Sequence, residues 1–214
     1  MRVGDQIAEA IMNHEPQRKD QAMHRVGELL ALTGVDPQRA SSYPHELSGG
    51  MRQRVMIAMG LACNPELVIT DEPVTALDVI IRGQVLKLIK DLQGRLNLSV
   101  MLITHDLSVV AETCESAAVM YAGKIAEYAD IVTIFKKPVH PYTRCLVDAF
   151  PSIRGEMKNL TSLPGSPPNL VDPPKGCRFH PRCPYVSDRC KRDEPEVKFL
   201  DRTHFASCHL VDRV

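Results

Sequence analysis

The stretch Leu47-Ser48-Gly49-Gly50-Met51-Arg52-Gln53-Arg54 carries more information about the fold than any other part of this 214-residue chain. A serine and two glycines directly before a helix-forming run predict a backbone nest whose N–H groups bind a phosphate, helped by the positive helix end. The same tripeptide is also typical of an ordinary helix start, in which Ser48 caps the amide of Met51. The residues that follow are needed to choose between the two interpretations.

Farther along the chain, the apolar run Leu67-Val68-Ile69-Thr70 ends in the adjacent acids Asp71 and Glu72. The run is too short for a helix and does not alternate, which predicts a parallel strand buried on both faces. Open α/β sheets bind ligands at the carboxyl ends of their strands, where these acids lie. Asp71 therefore suits a Mg²⁺ ligand and Glu72 a general base, although two solvated acids at a loop start would have the same sequence.

Two shorter motifs follow, Thr75-Ala76-Leu77-Asp78 and Thr104-His105-Asp106. Asp78 stands directly before a predicted helix, so it can serve as the N-cap of that helix. His105 ends a predicted strand, where a lone histidine is usually an ordinary loop residue. An imidazole at this place can also donate a hydrogen bond to a phosphate.

Hydrophobic periodicity predicts an α/β layer with a parallel sheet over the first 150 residues. The predicted helices are residues 5–34 (two helices separated at Pro16), 52–63, 79–96 and 107–114. The predicted strands are 67–70, 99–104 and the hairpin strands 117–121 and 124–127. Past Phe150 the chain is rich in proline, so we expect a separate loop-rich unit without regular helices.

The composition disfavours two classes of function. Lys+Arg and Asp+Glu balance at 26 each, so there is no excess charge that would attract a nucleic acid. Tryptophan is absent and aromatic residues make up 5% of the chain, which disfavours base stacking. No apolar run approaches the roughly 20 residues that cross a bilayer, and no signal-peptide core is present. We therefore predict a cytosolic chain that binds no nucleic acid and reaches membranes only through a partner.

Seven cysteines in a predicted cytosolic chain argue against a disulfide framework. Four of them cluster as Cys177-x5-Cys183-x6-Cys190-x17-Cys208, without the Cys-x2–4-Cys pairs of structural zinc sites. Four irregularly spaced thiolates favour a 4Fe–4S cluster. A mixed Cys/His zinc site and free or disulfide-linked thiols remain as alternatives.

The surroundings of the cysteines lead to two further predictions. Basic side chains flank the cluster and should lower the pKa values of its thiols: Lys175, Arg178, Arg182, Arg189, Lys191 and Arg192. The solitary Cys63, Cys114 and Cys145 stand in apolar helical contexts, where we expect buried small hydrophobic residues.

In this order and spacing, the motifs resemble those of ATP-binding-cassette (ABC) ATPases. Residues 48–53 resemble the signature motif, 67–72 the Walker B strand, 75–78 the D-loop, and His105 the switch histidine. The resemblance implies ATP and Mg²⁺ as ligands, with Mg²⁺ on Asp71. It implies catalytic roles for Glu72 and His105. It also implies nucleotide contacts across a dimer interface for five residues: Ser48, Gly49, Gly50, Gln53 and Asp78.

Two other elements resemble the ATP-binding subunits of oligopeptide and dipeptide importers. Residues 137–143 resemble their Pro-x-His-Pro-Tyr-Thr element, and 163–168 the Pro-Gly-x-Pro-Pro segment that opens their C-terminal extension. Family members with this extension carry four similarly spaced cysteines, similar to a 4Fe–4S-binding region, and also handle nickel. The implied partners are a second ABC ATPase subunit, identical or paralogous, two transmembrane permease subunits and, indirectly, an extracytoplasmic solute-binding protein. The implied location is peripheral, on the cytoplasmic face of the bacterial inner membrane.

The implied fold is α/β: a partial P-loop NTPase (ABC ATPase) domain with a mostly parallel sheet and a helical subdomain, plus a Pro/Cys-rich irregular extension. We expect residues 1–46 to complete the helical subdomain, 47–150 to form the signature helix and the C-terminal part of the RecA-like core, and 151–214 to form the extension. No Gly-x-x-x-x-Gly-Lys-Ser/Thr loop (Walker A) occurs in the sequence, although family members carry one. We therefore expect an N-terminally truncated chain that is inactive alone.

The leading hypothesis is an ATP-hydrolysing subunit that energises uptake of di- or oligopeptides, or of nickel. One alternative is a non-catalytic Fe–S module that regulates or docks a transporter without hydrolysing ATP. Another is a non-transport ABC ATPase acting on DNA or ribosomes, against which the lack of a basic surplus counts.

Overall fold

The structure is a computed structural model that describes residues 1–149 and 165–213. The beginning of the predicted extension, including Leu163 and Pro164, lies outside the described residues. The chain divides into two compact units, Met1–Val109 and Val110–Val214. None of the helices in the described part of the chain has the length and apolar composition to cross a bilayer.

Three helices build the core of the first unit: α1 (Val3–His14), α2 (Lys19–Leu32) and α3 (Gly49–Gly60). Pro16 lies between α1 and α2, where the missing amide hydrogen prevents one continuous helix. The predicted helix pair is therefore confirmed. The apolar faces of the three helices form one buried cluster that includes Ile7, Ile11, Val26, Leu29, Leu30 and Val55.

The rest of the first unit is a βαβ arrangement. Strands β1 (Leu67–Asp71) and β2 (Ser99–Ile103) pair in parallel, with Asp71 opposite Ile103. Helix α4 (Val79–Leu96) connects them, as a parallel pair requires a crossover. Helix α5 (Leu107–Thr113) follows β2. The pairing brings the carboxyl ends of both strands to the same edge.

The prediction that β1 is buried on both faces is wrong for the described residues. Leu67 and Ile69 are 50% and 60% exposed, and Met101 of β2 is 52% exposed. Side chains alternate between the two faces of a strand, and the helices of this unit cover only one of them. Val68, on the covered face, packs against the helical core.

The second unit is built on an antiparallel sheet with the strand order β3-β4-β6-β5. Its strands are β3 (Ser116–Tyr121), β4 (Lys124–Asp130), β5 (Lys198–Phe199) and β6 (Phe205–Ala206). The predicted hairpin is confirmed as β3–β4. The expectation of a mostly parallel sheet is wrong for the described residues, because β1–β2 is their parallel pair and the four-stranded sheet is antiparallel.

The extension is less irregular than its proline content predicts. It supplies β5 and β6, and β6 pairs with β4 of the hairpin. The described helices of this unit after α5 are α6 (Ile131–Lys136), α7 (Pro141–Asp148) and the five-residue α8 (Asp188–Arg192). Proline limits helix length here, but the short strands β5 and β6 contain no proline and keep their ladder hydrogen bonds.

A fully buried carboxylate joins three segments of the second unit. Glu127 of β4 is 0% exposed and accepts hydrogen bonds from the backbone N–H groups of Val139 (2.9 Å) and His140 (3.0 Å). The Nε2 atom of His204 lies 2.9 Å from Oε1 of the same carboxylate. Glu127 thereby links β4, the turn before α7 and the β5–β6 hairpin.

His140 itself is nearly buried, and its environment fixes its charge state. Burial lowers the pKa of His140 to about 4, so the ring is neutral at pH 7. Its Nδ1 accepts the N–H of Tyr142 at 3.0 Å, which caps α7. The neutral imidazole is thus an acceptor at the helix start.

Replacing Glu127 by Ala should lower the free energy of unfolding by about 3–5 kcal/mol, because two buried amides and His204 lose their acceptor. Glu194→Ala is the matched control, since Glu194 makes an exposed ion pair with Lys124 and should cost less than about 1 kcal/mol. Denaturant unfolding measures both. Equal losses for the two variants would contradict the role given to Glu127.

Candidate functional site

The Ser48-Gly49-Gly50 element begins helix α3. Ser48 is the N-cap, and its Oγ accepts the N–H of Met51 at 3.3 Å. Neither glycine has a positive φ, so the chain enters the helix directly and not through a left-handed turn. The exposed start of α3 still presents first-turn N–H groups, which have no partner within a helix.

Gly50 has a packing function that the sequence does not reveal. A Cβ atom at this position would lie 2.6 Å from Cγ2 of Ile81 in α4. Glycine therefore permits the close approach of α3 to α4. A Cβ at Gly49 would meet Leu77 at an ordinary distance of 3.5 Å.

Glu72 follows β1 with a left-handed φ of +47°, which is uncommon for a residue with a side chain. Its N–H donates to the carbonyl of Ile103 at 2.9 Å, so the pairing with β2 continues to this residue. Strained backbone of this kind concentrates at functional sites. The turn directs the Glu72 carboxylate towards the residues that follow β2.

The Glu72 carboxylate is held by residues from two loops. Its Oε1 lies 2.6 Å from Nδ1 of His105 and accepts the His105 backbone N–H at 3.0 Å. Its Oε2 accepts the hydroxyls of Thr75 at 2.9 Å and Thr104 at 3.4 Å. The structure therefore brings the two candidate catalytic residues, Glu72 and His105, into direct contact.

These contacts change the acidity of Glu72. The hydrogen bond from the His105 side chain, followed by that from Thr75, lowers the pKa of the Glu72 carboxyl. Hydrogen bonds to the ionised form stabilise it, so Glu72 is a carboxylate at neutral pH. A carboxylate with a lowered pKa is suited to orienting water by hydrogen bonding rather than to retaining a proton.

The remaining predicted residues surround this pair. Asp71 is exposed at the end of β1, and its side chain and that of Gln53 from α3 line one cleft of the first unit. Asp78 caps α4 by accepting the N–H groups of Ile80 (3.1 Å) and Ile81 (2.9 Å), which confirms the cap.

An ion pair between Arg82 and Asp106 is not apparent from the sequence. Arg82 lies one turn into α4, and Asp106 directly follows His105, so the pair ties α4 to the loop that carries His105. Asp106 Oδ1 also accepts the N–H of Ser108 at 2.8 Å. The spacing of Asp78 and Arg82 indicates that both lie at the start of α4, but the acid that Arg82 meets depends on tertiary structure.

In the second unit, the four clustered cysteines line one cavity, and none forms a disulfide. The backbone N–H of Cys177 donates to the carbonyl of Cys190 at 2.8 Å. Gly176 makes this approach possible, because a Cβ there would lie 2.5 Å from the same carbonyl oxygen. Other residues lining the cavity include His140, Phe179, His180, Tyr185, His209 and Leu210.

The predicted lowering of the thiol pKa values is wrong. Burial raises the pKa of Cys183 to about 11 and also raises those of Cys177 and Cys208. The cost of removing a thiolate from water outweighs its attraction to the nearby basic side chains, because those side chains interact with other groups. Arg178 donates to the Ala122 carbonyl, and Lys191 pairs with Asp188.

The solitary cysteines Cys63, Cys114 and Cys145 are half-buried, so the prediction that they are buried is wrong. The Sγ atom of Cys63 lies 3.8 Å from the Ala10 carbonyl oxygen, at the edge of the helical core. Of the three, Cys145 lies within α7, whereas Cys63 follows the end of α3 and Cys114 follows the end of α5.

Two family models match separate parts of the chain. The "ABC transporter" model matches residues 2–75, and the model "Oligopeptide/dipeptide transporter, C-terminal region" matches residues 126–190. The first match contains the Ser48-to-Glu72 motifs. The second contains the His-Pro-Tyr turn and three of the four clustered cysteines.

Known proteins resemble nearly the whole chain. A "Probable peptide ABC transporter ATP-binding protein y4tR" of Sinorhizobium fredii is 49% identical over 99% of the chain. The "Dipeptide transport ATP-binding protein DppD" of Escherichia coli is 47% identical over 97% of it. The chain spans 64% of the length of each of these relatives.

Among solved structures, the dimeric post-hydrolysis state of the ATP-binding cassette MJ0796 bound to ADP and Pi has a TM-score of 0.54 and 25% identity to the chain. The similarity covers 61% of this chain and 57% of that one. The fold and the first model match define the class as ABC ATP-binding proteins. Within that class, the chain is similar over nearly its whole length to ATP-binding proteins of oligopeptide and dipeptide transporters.

Removing the His105 side chain should raise the pKa of the Glu72 carboxyl towards its ordinary value, because the largest cause of the lowering disappears. Thr75→Ala should raise it by a smaller amount, since that hydrogen bond is the second cause. A pH titration of the Glu72 carboxyl carbon by NMR measures both shifts. An unchanged Glu72 titration in His105→Ala would show that the contact is absent in solution.

Proposed function

We propose that the chain is the ATP-hydrolysing part of an ABC importer that energises uptake of di- or oligopeptides, or of nickel. The observation that carries the proposal is the Glu72–His105 contact at the adjacent ends of two parallel strands. The names of the relatives, which describe peptide transport ATP-binding proteins, support peptides as the solute.

The proposed roles follow from the positions of the side chains. Asp71, exposed beside Glu72, would hold Mg²⁺ together with phosphate oxygens and water. Glu72 would orient the attacking water. With His105 Nδ1 donating to Glu72, its Nε2 can donate to the γ-phosphate when the ring is doubly protonated. The 83% exposure of the His105 side chain leaves room for that phosphate.

The residues at the start of α3 would act on a nucleotide held by another subunit. Ser48 and Gly49 are exposed, so their helix end is accessible to an anion of a partner. Gln53 and Asp78 would complete the contact across the interface. The proposed partners are a second ABC ATPase subunit, identical or paralogous, and two transmembrane permease subunits, with a solute-binding protein acting indirectly. The proposed location is the cytoplasmic face of the inner membrane.

The motifs suggest three parts of the chain with different roles. Residues 1–46 would belong to the helical subdomain, 47–150 to the signature helix and ATPase core, and 151–214 to the extension. Hydrolysis requires a Walker A loop, which the 214 residues do not contain. Activity is therefore tested in a protein in which the Walker A segment of a relative precedes residue 1.

In such a protein, Glu72→Gln should reduce ATP turnover at least about 100-fold while ATP binding is retained, because the neutral amide lacks the charge with which the carboxylate orients and polarises the attacking water. Glu66→Gln is the matched control, since Glu66 is exposed at the other end of β1. Steady-state phosphate release and equilibrium ATP binding are the measurements. Unchanged turnover in Glu72→Gln would remove the catalytic assignment.

We further propose that Cys177, Cys183, Cys190 and Cys208 hold a 4Fe–4S cluster. Their common cavity and free thiols support this. Four thiolates that approach from different directions are the ligand set of a 4Fe–4S cubane.

The cluster would supply one-electron redox chemistry or cross-link the extension. The raised thiol pKa values oppose deprotonation before the iron binds, so assembly should be favoured at alkaline pH. The buried Glu127 contacts hold the His140 turn, which forms one wall of the cavity.

The protein purified without oxygen should contain iron and sulfide in equal amounts and absorb near about 400 nm. Cys183→Ser should lose most of the iron, whereas Cys114→Ser, which changes a cysteine that does not line the cavity, should keep it. Elemental analysis and visible spectroscopy measure the effect. Stoichiometric zinc, or no metal, would contradict the cluster.

A further inference from the structure

Ser187 stands at the N-cap of helix α8 but does not use its side chain as a cap. An N-cap serine ordinarily accepts a backbone N–H from the first turn of its helix. Here the Ser187 Oγ lies 3.3 Å from the Sγ of Cys190. The helix start is held instead by backbone, since the Cys190 N–H donates to the Ser187 carbonyl at 3.0 Å.

The other three clustered sulfurs have backbone donors. Cys177 is approached by the amides of Phe179 and His180, and Cys183 by the amide of Tyr185. The Sγ of Cys208 accepts the N–H of Leu210 at 3.5 Å. Cys190 differs from them because a side-chain hydroxyl, that of Ser187, is within hydrogen-bond distance of its sulfur.

The direction of the Ser187 bond depends on the state of the sulfur. A thiol can donate or accept, but a metal-bound or ionised sulfur has no hydrogen, so the hydroxyl must then be the donor. Such a donor withdraws charge from the sulfur and stabilises the more negative, reduced form of a cluster. Cys190 is buried at 7% exposure, where one hydrogen bond has more effect than in water.

We propose that Ser187 is a positioning residue that orients Cys190 in the four-cysteine site and raises the reduction potential of the iron–sulfur cluster bound there. This inference rests on the proposed cluster. In this arrangement, the side chain of an exposed residue tunes the site from outside the cavity. Removing the hydroxyl should cost little folding energy, because the backbone cap of α8 remains.

The experiment is a redox titration of the cluster-containing full chain with dithionite and mediators, followed by visible absorbance and electron paramagnetic resonance. Ser187→Ala should raise the ratio of oxidised to reduced cluster about tenfold at a fixed potential. For a one-electron couple, this corresponds to a midpoint potential that is lower by about 59 mV. Ser187→Thr keeps the hydroxyl and should stay close to the wild type.

Ser116→Ala is the matched control. It removes a serine hydroxyl on β3 that accepts a hydrogen bond from Tyr128 at 3.1 Å and does not line the cysteine cavity. Its midpoint potential should equal that of the wild type. Iron content is measured for every variant, so that loss of the cluster is distinguished from a change in its potential.

The outcomes separate the two proposals. A Ser187→Ala protein with full iron and an unchanged potential would overturn the role of Ser187 and leave the cluster intact. Loss of iron from Ser187→Ala but not from Ser187→Thr would support the positioning of Cys190 by the hydroxyl. Loss from both variants would overturn it, and a wild type without iron would overturn the cluster and this inference together.

Discussion

The in-register parallel pairing of β1 with β2 is the constraint on which the candidate site depends. It brings the ends of two strands side by side although a whole helix separates them in sequence. The backbone N–H of Glu72 continues the pairing, and the left-handed conformation then directs its carboxylate to His105. Without this register, the acid pair and the histidine would be unrelated loop residues.

The second unit depends on a different interaction, the enclosure of one carboxylate. Glu127 satisfies two backbone donors and His204, so three segments distant in sequence share one buried acceptor. A buried charge is unfavourable unless its bonds are complete, which makes the three segments depend on one another. The His-Pro-Tyr turn is therefore fixed from β4 as well as by its own helix cap.

Helix bounds and motif order were largely predictable from sequence, because they depend on local spacing. Pro16 separates α1 from α2, and Asp78 caps α4, as expected. Properties that depend on tertiary surroundings were not predictable from the sequence. The exposed face of β1, the raised pKa of Cys183 and the partner of Arg82 follow from what packs nearby. The short strands β5 and β6 carry too few residues for a periodic pattern.

The glycine before Cys177 has a consequence for how the protein can vary. At position 176 the backbone has a φ of +69° and runs against the carbonyl of Cys190, so any side chain meets both torsional and steric resistance. Even a methyl group would force two cysteine-bearing segments apart. Substitutions can thus be accepted in much of the surrounding loop, whereas position 176 accepts essentially glycine alone.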